Sequence, residues 1–203
     1  ADTGRAGIPG SDTPAADGAA SAWKDPRLYF IGLIVLGMAL AEGAANDWLP
    51  ILMVDEFGFD AASGSLVFLV FATAMTIGRF SGGYFIVRYG RAAVLCGSAV
   101  IGAIGLATVI FSHNPILAGA AVLLWGIGAS LGFPVALSAA GDSGPNPAER
   151  VRLVAICGYV AFLVGPPMLG FVGETYGLRG AMLIVLVLVV TAAISTLALR
   201  RPR

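Results

Sequence analysis

Residues 28–49 read LYFIGLIVLGMALAEGAANDWL. From Leu28 to Ala41 there is no charged or amide side chain. The apolar residues neither alternate with polar ones, as in a half-buried strand, nor keep to one stripe, as on a surface helix. A helix that is apolar all round is surrounded by lipid or by protein. A run of this length rises about 33 Å as a helix, enough to cross the roughly 30 Å hydrocarbon core of a bilayer.

Five stretches of the same kind follow, from Ala62 to Val87, Ala92 to Phe111, Pro115 to Ala140, Leu153 to Val172 and Ala181 to Leu199. Transmembrane strands would be half as long and would alternate. The fold class is therefore all-α, a polytopic membrane bundle of six transmembrane helices over residues 28–200. Composition agrees. Of the 203 residues, 58% are hydrophobic and only 12% charged, against about 25% charged in soluble domains, and mean hydropathy is +0.88. A soluble domain could not bury that much apolar surface. Twelve basic and twelve acidic residues cancel, so no net field attracts a polyanion, and nucleic acid is not an expected partner. Cys96 and Cys157 lie inside apolar runs and read as small packing residues rather than a bridge or a metal site. No cofactor is expected.

The ends differ in material. Residues 1–27 are rich in Ala, Gly, Ser, Asp and Pro, which predicts a flexible cytoplasmic tail or linker. They lack the basic start and apolar core of a signal peptide. Residues 201–203 close the chain as a basic cytoplasmic terminus.

Charge sits in the short connections. Lys24, Arg27, Arg88, Arg91, Arg150, Arg152, Arg200, Arg201 and Arg203 fall on one side, and Arg179 alone on the other. That asymmetry places both termini in the cytoplasm, and an even number of helices requires the same of any two ends. Trp23, Tyr84 and Tyr89 fall near the inner interface and Trp48 near the outer one. Gly78 with Gly82, and Gly128 with Gly132, are GxxxG pairs. They predict close helix packing, because lipid supplies no hydrophobic drive for helices to associate.

Glu42 is the most informative position. An acid inside a membrane helix is costly and should face the bundle interior, a partner or water. It reads either as a protonatable acid or solute ligand, or as a structural acid locking two helices. Asn46 is one turn on, along the same face, and Asp47 lies nearer the outer surface. Arg79, inside the second helix, either snorkels to the inner surface or pairs with an acid of another helix. Trp125 and Tyr159 are aromatics that either pack or stack on a ligand. Gly165-Pro166-Pro167-Met168-Leu169-Gly170 is expected to interrupt the fifth helix, and Gly132-Phe133-Pro134 to perturb the fourth. Asn146-Pro147-Ala148-Glu149 offers an N-cap, a proline at the first helical position and an acid at the third.

These motifs, in this order, resemble the carboxy-terminal six-helix half of a major facilitator superfamily transporter, over about residues 24–203. Gly78-Arg79 followed by Gly83-x-Phe85-x-x-Arg88-Tyr89-Gly90-Arg91 resembles the superfamily's cytoplasmic loop motif, with Val87 where an acid is usual. The Gly165 to Gly170 segment, with Tyr176-Gly177-Leu178-Arg179 after it, resembles the eleventh helix and its exit. Glu42-Gly43 to Asp47-Trp48 is similar to the seventh helix of the sugar-permease-like branch. The resemblance implies secondary transport of a small solute by alternating access, with proton coupling through Glu42. It implies a cavity lined by helices one and four, with Glu42, Asn46, Asp47 and Trp125 as substrate or coupling residues. Arg79, Gly83, Arg88, Gly90 and Arg91 would form a cytoplasmic gating loop, and Gly165, Pro166, Pro167 and Gly170 a helix break. Helices two and five would face a missing amino-terminal half. The implied setting is a bacterial cytoplasmic membrane, with the lipid bilayer, a small-molecule solute, and a missing half or a second copy as partners. The chain is expected to be a partial sequence. The alternative is a stand-alone six-helix protein, acting as a homodimeric half-transporter or a scaffold.

An enzyme is not expected. The one histidine, His113, lies in an outer connection, Lys24 is the one lysine, and Gly141-Asp142-Ser143-Gly144 has no following lysine to cradle phosphate.

Overall fold

The computed structural model describes residues 24–200. The expectations for residues 1–23 and 201–203 lie outside the described residues. Six helices follow one another: α1 Pro26–Phe57, α2 Ala61–Tyr89, α3 Arg91–Phe111, α4 Pro115–Gly141, α5 Pro147–Tyr176 and α6 Leu178–Arg200. All six are long and apolar enough to span a membrane, and no strand occurs among the described residues.

Their ends follow local chemistry. Asp25 caps α1 by accepting from the N–H of Arg27, with Pro26 at the first helical position. Asp60 caps α2 by accepting from the backbone and hydroxyl of Ser63. Those bonds hold its carboxyl below the usual range. Asn114 caps α4 through the N–H groups of Ile116 and Leu117. Gly58 ends α1 in the left-handed region at φ 71° and ψ 23°, where glycine alone carries no penalty.

Three local expectations are corrected. The first helix does not stop near Leu49 but continues through Pro50 to Phe57, so Asp55 and Glu56 are helical. The fifth helix is not interrupted: α5 runs through Gly165, Pro166 and Pro167. Each proline removes one donor and leaves the carbonyl four residues earlier without its helical partner. Leaving the helix altogether would strip more backbone groups of partners at membrane depth. Asn146 precedes α5 but takes a left-handed conformation, φ 58° and ψ 64°, and makes no side-chain cap bond. Pro147 and Glu149 hold their expected places in the first turn.

Helix α1 lies inside the bundle and packs on α2, α4, α5 and α6. Its apolar window is 78% buried, against 22% for α2 and 33% for α5, so those two turn large apolar surfaces outward, including Phe80, Val87 and Leu163. The expected small-residue contacts are present. Gly102 of α3 meets the backbone of Gly128 in α4, Gly78 of α2 rests on Ser130 of α4, and Gly132 receives Met38 of α1.

Each end of the bundle carries a polar fastening. At one end Arg150, 4% exposed, donates through Nη1 to Asp25 Oδ2 (2.8 Å) and Ser143 Oγ (2.7 Å), and through Nε to the Pro145 carbonyl (3.1 Å). Arg91 pairs with Asp142 nearby in sequence to that loop. At the other end Arg179 donates to the carbonyls of Ser112 (3.2 Å) and Glu56 (3.4 Å) and lies 4.6 Å over the Phe57 ring.

For Asp25, burial opposes ionisation, but hydrogen bonds from Arg150 and the Arg27 N–H, and both positive charges, outweigh it. The carboxyl is held below its ordinary 3.8. A depressed carboxyl stabilises the fold above its unfolded value and loses that contribution as pH falls through the folded one. Asp25→Asn should therefore cost about 1–2 kcal/mol at pH 7, and the deficit should vanish at acid pH. Thermal unfolding of both proteins at pH 7 and pH 3 checks this. A deficit equal at both values would refute it.

Candidate functional site

Glu42 stands at the midpoint of α1, in the small-residue run Ala41-Glu42-Gly43-Ala44-Ala45. Small neighbours let adjacent helices come close: Gly43 lies under Phe162 of α5, and the Ala41 carbonyl accepts a bond from Trp125 Nε1 at 3.2 Å. Arg79 is carried by α2, one residue after the glycine that seats that helix on Ser130. The close approach brings the guanidinium across to α1. Its Nη2 donates to Glu42 Oε1 at 2.6 Å, and its Nε to the Ser130 carbonyl at 3.3 Å. Three helices thus meet at one ion pair.

The two partners are unequally placed. Glu42 is 9% exposed, and its Oε2 is buried with no hydrogen-bond partner among the described residues. The Arg79 side chain is 46% exposed. A buried carboxylate oxygen without a donor is costly.

The pair borders a cavity of about 650 Å³, within the range of small-molecule sites. From Glu42 and Arg79 it runs past Gly82, Gly83 and Ile86 to Arg91, with Leu131, Phe133, Pro134, Val135 and Ser138 of α4 and Phe162 of α5 as its walls. Phe133 and Phe162 meet edge to face, their centroids 5.9 Å apart.

The expected residues fall into three groups. Glu42, Arg79, Gly83 and Arg91 come together on this cavity. Arg79 pairs with Glu42 instead of reaching only for the surface. Trp125 lies elsewhere: it is 1% exposed, packs edge to face on Phe71 and is held by Ala41, so it braces α4 against α1. Asn46 and Asp47 are exposed and outside the cavity lining. Tyr159, 63% exposed, faces outward. Arg88 and Gly90 are exposed at the α2–α3 turn, where Gly90 has φ 80° and ψ 157°, a conformation that only glycine adopts readily. Gly165 and Gly170 receive Leu40 and the Trp48 ring, and the Pro166 carbonyl accepts from Trp48 Nε1 at 3.0 Å. The proline segment is a seat for α1.

Phe162 and Ser138 were not singled out from the sequence. Nothing in an apolar run marks which of its residues face a cavity.

Comparison with known proteins bears on the same span. The family model of the Major Facilitator Superfamily matches residues 31–203. An uncharacterised MFS-type transporter of Yersinia pestis is 33% identical over 175 residues, covering 86% of this chain and 46% of that protein. An uncharacterised transporter of Sinorhizobium fredii is 30% identical over 159 residues, 78% of this chain and 42% of that protein. The membrane protein MosC of Rhizobium meliloti is 28% identical over 183 residues, 89% and 44%. The chain spans about half the length of the curated relatives it matches. Six apolar helices of spanning length and a family match over nearly the whole helical region agree: this chain is an integral membrane protein and belongs to the Major Facilitator Superfamily.

Proposed function

We propose that the chain forms one half of a proton-coupled secondary transporter, moving a small solute by alternating access about the Glu42–Arg79 pair. The carrying observation is that pair: an acid at the midpoint of the most buried helix, salt-bridged at 2.6 Å, on the border of a cavity. An intramembrane ion pair facing a cavity marks a solute or proton route more often than a fastening. The second half would be another six-helix unit or a second copy of this chain. The exposed side chains Asn46 and Asp47 support that reading, since polar groups at membrane depth face protein or water, not lipid. The basic connections support an orientation with both ends of the helical region on the cytoplasmic side of a bacterial inner membrane. Arg91, paired with Asp142 beside the turn at Gly90, would latch the inner side. Solute access would come from rocking of the two halves.

Proteoliposomes loaded with a pH-sensitive dye test this. Solutes that collapse an imposed pH gradient identify substrates. Glu42→Gln should abolish solute-driven proton flux, by at least 10-fold, while solute exchange without a gradient persists. Full proton flux in that variant would sink the assignment.

A further inference from the structure

A second cavity lies apart from the Glu42 site. It is a groove of about 310 Å³ between the opening turns of α1 and of α5, and it shares no lining residue with the cavity at Glu42. Leu28, Leu33 and Leu36 of α1 and Leu153 and Val154 of α5 form most of its wall, and no side chain in the lining carries a charge. Its one thiol, Cys157, turns back toward the Leu153 carbonyl of its own helix, 4.0 Å away. Tyr29 lines it as an exposed side chain. Leu28 and Leu36 are eight residues apart, a rise of about 12 Å. The groove therefore reaches into the depth that one leaflet supplies, about half of the roughly 30 Å hydrocarbon core. Cations gather at its end. Lys24 and Arg27 precede Leu28, Arg152 precedes Leu153, and all three are exposed. The acids there do not cancel them. Asp25 is engaged by Arg150 and the first turn of α1. Glu149 lies 3.6 Å from an Arg152 side chain that is 75% exposed, a surface pair of little worth.

We propose that this groove seats one acyl chain of an anionic glycerophospholipid, whose phosphate lies among Lys24, Arg27 and Arg152. A groove that stays empty forgoes the dispersion contacts of its lining, so in a bilayer something apolar fills it. The wall favours a flexible chain over another helix. Helices come close in lipid along strips of small residues. The groove offers only Gly32, and a methyl there would stand 3.2 Å from the Cys157 sulfur, so its open side is already spent on α5. The leucines around it would hold a further backbone away, whereas an acyl chain bends between them. The basic end then selects the head group. Clusters of Lys and Arg at the membrane surface, with a cleft between helices beneath them, favour anionic over zwitterionic lipid. A chain seated there joins α1 to α5 where the protein leaves a gap, so the lipid should also stabilise that seam. The inference uses neither Glu42 nor Arg79 and is independent of the transporter reading.

Native mass spectrometry of the purified chain tests this, after equilibration in detergent with equal amounts of dioleoyl phosphatidylglycerol and dioleoyl phosphatidylcholine. The two lipids share their chains and differ in head group. Phosphatidylglycerol should be retained on the order of 10-fold over phosphatidylcholine at low salt, and less so as salt rises. Lys24→Gln, Arg27→Gln and Arg152→Gln together should bring that preference to about 2-fold or less. Leu33→Trp fills the groove and leaves every charge in place, and it should lose the retained lipid. Ile194→Trp, on the exposed face of α6, should keep it. A preference that survives Leu33→Trp would belong to the basic surface at large and overturn the site. Equal retention of the two lipids would overturn the anionic head group. A chain that retains no lipid, or a dimer that Leu33→Trp breaks, would give the groove to another occupant and overturn the lipid assignment. The three Gln changes leave helix packing alone, so they decide even if Leu33→Trp does not fold. Absence of solute-driven proton flux would sink the transport reading and leave this result untouched.

Discussion

Arg79→Gln alone is expected to destabilise the bundle by about 2–3 kcal/mol, and adding Glu42→Gln is expected to recover most of that loss. The asymmetry follows from burial. Removing Arg79 strands a 9% exposed carboxylate whose second oxygen already lacks a partner. Removing Glu42 frees a guanidinium that is 46% exposed and still donates to the Ser130 carbonyl, so that change alone should cost less than about 1 kcal/mol. The figure for Arg79 sits at the low end for a buried pair because half of its side chain is accessible. Thermal unfolding followed by tryptophan fluorescence in detergent, as a double-mutant cycle, measures the coupling. Additive losses from the two single changes would show that the pair is not a unit. On the transporter reading proposed above, transport should stay absent in the stable double variant, which separates the fold's need for charge balance from the need of that function for the charges themselves.

The larger structural effect belongs to a residue with no side chain. Gly128→Ala should cost about 3 kcal/mol or more and reduce the yield of monodisperse protein. A methyl on Gly128 would overlap the Gly102 backbone and fall 2.8 Å from the Ser98 carbonyl. Both obstacles are main chain, so no rotamer change relieves them and α3 must move away from α4. Gly105, whose added methyl would lie 2.8 Å from the Ala121 carbonyl, enforces the same contact one turn on. In lipid such contact is the main source of helix association, so separating the helices removes what holds them. Gly97 is the control. It lies in α3, the helix that Gly128 packs on, with nothing within 4 Å of an added methyl, and Gly97→Ala should be neutral or stabilising by up to about 1 kcal/mol. Equal melting temperatures for the two variants would mean that the α3–α4 contact is not what the glycine serves.

The comparison between these two positions shows where sequence reading stops. Gly97 and Gly128 are both glycines in apolar helices, and the GxxxG spacing pointed to Gly128 only as one of a pair. Which carbonyl each meets depends on how α3 is rotated and crossed against α4. The same holds at the site. Glu42 stands out in the sequence because an acid in an apolar run is anomalous wherever it lies. Its partner does not: Arg79 is equally consistent with snorkelling until α2 is seated on Ser130 and the guanidinium is turned toward α1.

The sequence by itself determined the membrane class, the number of helices and their approximate spans. These depend on the length and apolarity of continuous runs, and solvation by lipid acts on each run locally. Only the tertiary structure decided that α1 continues past Pro50, that α5 passes through two prolines, that Trp125 braces the core instead of lining the cavity, and that Glu42 and Arg79 form one pair. The two helix continuations turn on backbone groups that must keep partners at membrane depth, and the last two on the rotation of one helix against another. That rotation is set by close backbone contacts between residues far apart in the chain, and no periodicity within a uniformly apolar helix records it.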